Sequence, residues 1–212
     1  MQLKLAPFTM VLVTINVIVT VCMLFPIMAN YIPVAGGFIP ARLLGTNDIA
    51  GTVGIIPAVM TPFTAPFIHS GLLDMLFPSL MLILMGSMNE KILGWRGVCA
   101  LFFGGASISA IIIGVFLPNS QTIFSGSHDA VSSVIAAYLI LYPVGKPKPW
   151  GILTADQARP LQLILLWLII NLVTGNVFSY EGFVSTVIAP VAAFTTGIFL
   201  ARPLLLWKYR HA

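Results

Sequence analysis

Phe124-Ser125-Gly126-Ser127-His128-Asp129-Ala130 opens a short uncharged segment, Ala130–Tyr142. Glycine and serine give way to a histidine and a carboxylate where an apolar run begins. That run is short for a membrane span. Short spans fit a helix that starts below the surface, at the floor of a cavity lined by protein. Polar side chains at such a floor are where chemistry, or its loss, would be written.

The whole chain sets that segment in a membrane. Apolar residues make up 58% and charged residues 8% of 212 positions, and the mean hydropathy is +1.02. An apolar helix of about 20 residues spans a bilayer, and this chain offers several, in one membrane domain over residues 1–212. The basic balance does not point to nucleic acid, because the ten Lys and Arg are spread along the chain. Cys22 and Cys99 both lie in apolar stretches, so no disulfide framework is expected. Lys4 and the run behind it resemble a signal peptide, but the run is long and lacks a clean small-x-small site; a retained first span is expected.

Six spans are expected: Phe8–Ala29, Phe67–Met88, Val98–Leu117, Ala130–Tyr142, Leu161–Phe178 and Phe183–Leu206. With the N-terminus inside, the inner segments hold Lys4, Lys91, Arg96, Lys146, Lys148, Arg159, Arg202, Lys208 and Arg210, against Arg42 alone outside. That nine-to-one split predicts both termini on the inner face. The link 30–66 is too apolar to hang in water and should lie in the interface or on the bundle. Ala106, Ala110 and Gly114, and Ala189, Ala193, Gly197 and Ala201, recur at four-residue spacing, which lets helix backbones approach closely. Trp95, Trp150, Trp167 and Trp207 fall mostly near span ends and read as interfacial anchors.

In this frame the chain resembles the rhomboid family of intramembrane serine proteases and their inactive relatives. The family has a six-helix core, a long membrane-lying first loop and a short fourth helix that starts in a water-filled cavity. Its second span carries His, a second His, Asn, then Gly and Glu near the inner face. His69, Gly86, Glu90 and Gly94 match that pattern, whereas Asp74 stands at the second His and Pro78 at the Asn. The fourth-span motif Gly-x-Ser-Gly becomes Gly126-Ser127-His128-Asp129, with His128 at the nucleophile. In the sixth span Pro190 stands at the catalytic His and Ala193 at the first glycine, while Gly197 is kept.

The resemblance implies a fold and, through these departures, a degenerate site. Serine attack needs a hydroxyl, a base and donors for the oxyanion. His128 has no hydroxyl, Pro190 cannot exchange a proton, an ionised Asp74 would repel an oxyanion, and Pro78 has no donor at all. No catalytic residue is therefore expected, with Asp74, Pro78, His128 and Pro190 as the altered posts. Asp74 and His128 should face each other as a buried polar pair that plugs the old cavity, because a carboxylate within a span needs a partner, water or a proton. His69, Gly86, Glu90, Gly126 and Gly197 are expected to be structural: His69 tying the long outer loop to the second span, Glu90 bonding a neighbouring segment. Asn171 would bond between helices. Ser127, Ser132 and Ser133 beside His128 leave room for an active protease with a non-standard site. His69, His128, Asp74 and Asp129 are types that bind zinc, but their spacing matches no strong motif, so no metal and no cofactor are expected, bound lipid aside.

The function expected from this reading is helix–helix interaction without catalysis. The chain would be an accessory subunit of a larger membrane complex; the alternative is a client-binding regulator or escort of transmembrane proteins. Its partners would be integral membrane proteins and the lipid bilayer, not nucleic acid. Its location would be a bacterial inner membrane or an organelle membrane. The chain carries no recruiting soluble module, which favours the subunit, and no inverted second half, which argues against a transporter.

Overall fold

The computed structural model describes residues 6–44, 56–142, 154–174 and 178–210. These residues are helical apart from their connections and one isolated antiparallel bridge between Phe38 and Phe124. In chain order the helices are α1 (Pro7–Cys22), α2 (Pro26–Gly36), α3 (Pro40–Leu43), α4 (Thr61–Thr64), α5 (Leu72–Met81), α6 (Ser87–Phe116), α7 (His128–Leu141), α8 (Ala155–Thr174), α9 (Tyr180–Phe183) and α10 (Ala189–Tyr209). Two π turns, Leu82–Gly86 and Val184–Ile188, join α5 to α6 and α9 to α10 without interrupting the rod. Two continuous helical stretches, Leu72–Phe116 and Tyr180–Tyr209, are long and apolar enough to cross a membrane.

The first of those stretches is two helices in one. Gly94 has φ 75° and ψ 174°, a conformation glycine alone adopts freely, and the chain turns there. The expected loop between 88 and 98 is thus a single residue, with helix on both sides. The break orphans the last carbonyls of the first half. Lys208 Nζ donates to Ile92 O at 2.7 Å and Tyr209 OH donates to the same oxygen at 3.3 Å, so the end of α10 caps this turn. Tyr142 OH, at the end of α7, donates to Met88 O at 2.9 Å.

The other boundaries move for local reasons. The first expected span is helical only to Cys22, because Pro26 starts a new helix and cannot continue the old one. Residues Ile68–Gly71 are not helical, so the helix expected from Phe67 begins at Leu72. The sixth starts earlier, at Tyr180, where the Ser179 hydroxyl accepts from Gly182 N–H. The link 30–66 does fold onto the bundle where it is described, through α3, α4 and the bridge between Phe38 and Phe124, while α2 stays largely exposed. Residues 45–55 lie outside the described residues, as does Trp150.

The core is a trio. α7, α10 and α6 make the most extensive mutual contacts. Ala130–Ala137 of α7 are buried on all sides, which only small and apolar side chains permit. Gly197 sets the α7–α10 distance: a Cβ placed there would lie 2.0 Å from the Ser133 carbonyl oxygen. Gly105 on α6 meets Ser133 from the other side, at 2.7 Å. The four-residue series of the sixth span thus marks a close helix contact at Gly197, whereas in α6 the close contact falls at Gly105, beside the expected series. A Cβ at Gly114 would meet Phe38 and Leu43 of the link instead. Trp167, expected at an interface, instead stacks on Phe194 with ring centroids 4.9 Å apart.

Candidate functional site

The start of α7 forms the floor of a cavity of about 680 Å³. α5, α6, α8, α10 and the segment 123–126 contribute to its walls. Gly126 has φ 105°, a left-handed conformation that suits glycine. This turn lets the chain drop from the wall to the floor. Its backbone is tied down as it goes: Phe124 and Phe38 exchange both N–H bonds, and Gly126 N–H donates to Ala65 O at 3.0 Å.

His128 is the first residue of α7, and its ring Nε2 lies 2.8 Å from Asp74 Oδ1 on α5. Asp74 Oδ2 accepts from Ser70 N–H at 2.9 Å and Ser70 Oγ at 3.0 Å. The two side chains are brought together, but they are not buried. His128 keeps 49% and Asp74 30% of its side-chain surface. The first turn of α7 faces open cavity rather than packed protein, so the pair lines the space and does not plug it.

His69 and Ser127 lie behind that floor. His69 is 1% and Ser127 0% exposed. Ser127 Oγ stands 2.9 Å from His69 Nε2, and Ser127 N–H points to the same nitrogen at 3.3 Å. A nitrogen that receives an N–H is unprotonated, so the hydroxyl donates to it as well. His69 therefore fastens the entry of α5 to the N-cap residue of α7, not to the long outer loop. A serine–imidazole contact does exist, but with His69 rather than the adjacent His128, and both partners are sealed from the cavity.

Asp129, next in α7, projects across to α6, where Ser109 Oγ donates to its Oδ2. Pro190 lines the cavity near the start of α10. Pro78 is buried inside α5, away from the cavity wall. Asn171 reaches the wall from α8, but its Nδ2 donates to Trp167 O of its own helix at 2.8 Å, not to a neighbouring helix. Ser132 Oγ bonds backward to His128 O of its own helix, and Ser133 Oγ lies between Ala130 O of its own helix and Leu101 O of α6. Among the described residues no group of three His, Cys, Asp or Glu could hold a metal ion.

At the far end of the bundle, Glu90 is 8% exposed. One carboxylate oxygen accepts from Phe8 N–H at 3.0 Å; the other accepts from Thr9 N–H and Thr9 Oγ1, both at 2.7 Å. α1 has no side-chain cap of its own, so Glu90 answers its orphan donors and its positive end. Gly86, one turn earlier, makes room: a Cβ there would sit 3.1 Å from Thr9 Cγ2. Sequence reasoning offered no partner for Glu90 by name; the bare start of α1, Ala6 before Pro7, was the available signal.

A helical bundle with a half-open polar cavity at the head of a short central helix is the architecture of an intramembrane protease or a relative of one. The family description "Rhomboid domain" matches residues 57–207, most of the chain, which therefore belongs to the rhomboid family and is an integral membrane protein. A comparison with curated proteins returned no match.

Proposed function

We infer that this chain is a rhomboid-family protein without protease activity, acting through helix–helix contact as an accessory subunit of a larger membrane complex. The observation that carries this reading is the content of the cavity. At the positions that match the family's catalytic posts, the wall presents Asp74, His128 and Pro190, none of which supplies a hydroxyl nucleophile. Of the hydroxyls elsewhere on it, Ser70, Ser109 and Ser185 donate to Asp74, Asp129 and Glu181 O rather than to an imidazole. The hydroxyl that does meet an imidazole, Ser127, is fully buried. That position weighs against a non-standard protease, since a nucleophile must reach its carbonyl.

The same reading takes residues 1–212 as one domain with six crossings and both ends on the inner face, in a bacterial inner membrane or an organelle membrane. Helices α1, α5 up to Gly94, the remainder of α6, α7, α8 and α9–α10 supply the crossings. The distribution of charge supports the orientation. Lys91, Arg96 and Lys208 gather around the Gly94 turn, and Arg159 caps the end of α7 through Leu139 O at 2.7 Å. Asp74, Asp129 and Glu181 lie toward the other end, around the cavity and the start of α9.

A second reading, a client-binding regulator or escort, is favoured by one feature: the cavity is open rather than filled. Two measurements test these readings. A fluorophosphonate probe should leave the purified protein unlabelled, and His128→Ser should stay unlabelled too, because Asp74, Pro78 and Pro190 remain. Labelling that vanishes in Ser127→Ala would overturn the inactive reading. Native purification in mild detergent should return partners at fixed stoichiometry for a subunit, and several substoichiometric proteins for a client binder.

A further inference from the structure

Several cations gather at the end of the bundle near the Gly94 turn, and most are held. Lys208 Nζ donates to Ile92 O, Arg159 donates to Leu139 O, and the Arg96 guanidinium stands 5.2 Å from the Trp95 ring centre. Arg202 differs from these. It is exposed on α10, and among the described residues no hydrogen bond or ion pair reaches its guanidinium. Phe199, 71% exposed, stands one turn before it, and Leu206, 72% exposed, one turn after. Residues three and four apart share a helix face. A full positive charge therefore sits in an apolar face that turns away from the bundle.

The next residue adds a second unmet group. Pro203 lies inside α10 and has no N–H. The Phe199 carbonyl lacks the donor that any other residue at 203 would give it. That carbonyl is on the same side as Arg202, since the proline that fails it is exposed too. Depth makes both groups costly. Lys208 and Tyr209 mark one end of α10 by bonding Ile92 O at the Gly94 turn. From Tyr209, Arg202 lies about 10 Å and Phe199 about 15 Å along the helix. The second distance is half of a hydrocarbon core of roughly 30 Å, where no water answers a bare carbonyl. A lipid phosphate offers an anion at the headgroup level but no donor at that depth. A second copy of this chain, paired face to face about a two-fold axis, would set Arg202 against Arg202. A different helix, with polar side chains one turn apart, meets both needs.

We propose that this face of α10 docks a partner transmembrane helix that carries an aspartate or glutamate level with Arg202 and a hydroxyl or amide donor level with the Phe199 carbonyl. The proposal rests on the reading of this chain as a protein that acts through helix–helix contact, and it names the surface and the partner's chemistry. Ionisable residues within a membrane pair with one another. Interhelical hydrogen bonds and packing drive association there, because lipid tails leave no hydrophobic gain between helices.

The test uses a leucine–alanine transmembrane peptide carrying one glutamate and, one turn away, one serine. Its binding to the purified protein is read by energy transfer in phosphatidylcholine vesicles. The peptide should bind, and a version with leucine in place of glutamate should bind at least tenfold more weakly. Arg202→Leu and Arg202→Gln should each weaken the glutamate peptide at least tenfold. Pro203→Ala, which restores the helix N–H, should weaken it by a smaller factor. Arg202→Glu should reject the glutamate peptide and bind a lysine version, a gain that an unfolded variant cannot produce. Equal binding of the leucine peptide, unchanged affinity in Arg202→Leu, or no lysine-peptide binding by Arg202→Glu overturns the proposal. Loss of peptide binding when phosphatidylglycerol replaces part of the lipid assigns Arg202 to an anionic headgroup and overturns it as well. The two readings fail separately. A serine-reactive probe that labels protein still binding the glutamate peptide overturns inactivity alone; no peptide binding by unlabelled protein overturns this surface alone.

Discussion

At the scale of single residues, the contact between His128 and Asp74 joins groups that are respectively half and one-third exposed. Exposure limits what their attraction contributes, because solvent screens it and both side chains lose freedom. A double-mutant cycle of Asp74→Asn and His128→Ala, read by thermal unfolding in detergent, should give a coupling of about 0.2–1 kcal/mol. A coupling several times larger would mean that the pair is dry, as a plug would be. The contact between Ser127 and His69 is of the other kind. Both groups are fully buried, so His69→Ala leaves the Ser127 hydroxyl and N–H unanswered, at a cost of about 1–3 kcal/mol each. The unfolding midpoint of His69→Ala should therefore fall well below that of either single variant of the exposed pair.

At the scale of elements, two residues fix how helices meet. Glu90 holds the start of α1 through three hydrogen bonds. Glu90→Ala should destabilise the fold by about 1–3 kcal/mol. It should also speed hydrogen exchange at Phe8 and Thr9; unchanged exchange there would remove Glu90 as the cap. Gly197 sits against the Ser133 backbone, which cannot give way, whereas a Cβ at Gly104 would meet the end of the Leu200 side chain at 3.3 Å and Thr196 Cγ2 at an ordinary 3.9 Å. Gly197→Ala should cost roughly 1–3 kcal/mol or more through overpacking, and Gly104→Ala far less. Comparable unfolding midpoints for the two would show that α7 and α10 can separate without loss.

At the scale of the whole molecule, charge asymmetry and fold make one prediction about orientation. If the proposed orientation holds, a green fluorescent protein fused after residue 212 should fluoresce and alkaline phosphatase fused there should be inactive, because that orientation puts the C-terminus on the Lys- and Arg-rich inner face. Alkaline phosphatase inserted at the Tyr180–Gly182 turn should be active. The reverse pattern would overturn the six-span arrangement.

The amino-acid order alone determined the membrane class, the placement of most helices and the glycines that let them approach. Those properties follow from hydropathy, charge and side-chain size, which are read locally along the chain. It also raised the expectation, which probe labelling tests, that Asp74, Pro78, His128 and Pro190 depart from the catalytic pattern of the family. Only the tertiary structure decided which partner each polar group takes. Ser127 pairs with His69, 58 residues away, and not with the histidine beside it; Glu90 serves Thr9, 81 residues away. It also decided that the Asp74 and His128 pair borders an open cavity. Adjacent residues of a helix point in different directions, and whether a side chain meets protein or space depends on how distant segments are packed. Those are facts of geometry in three dimensions, which no run of neighbouring residues contains.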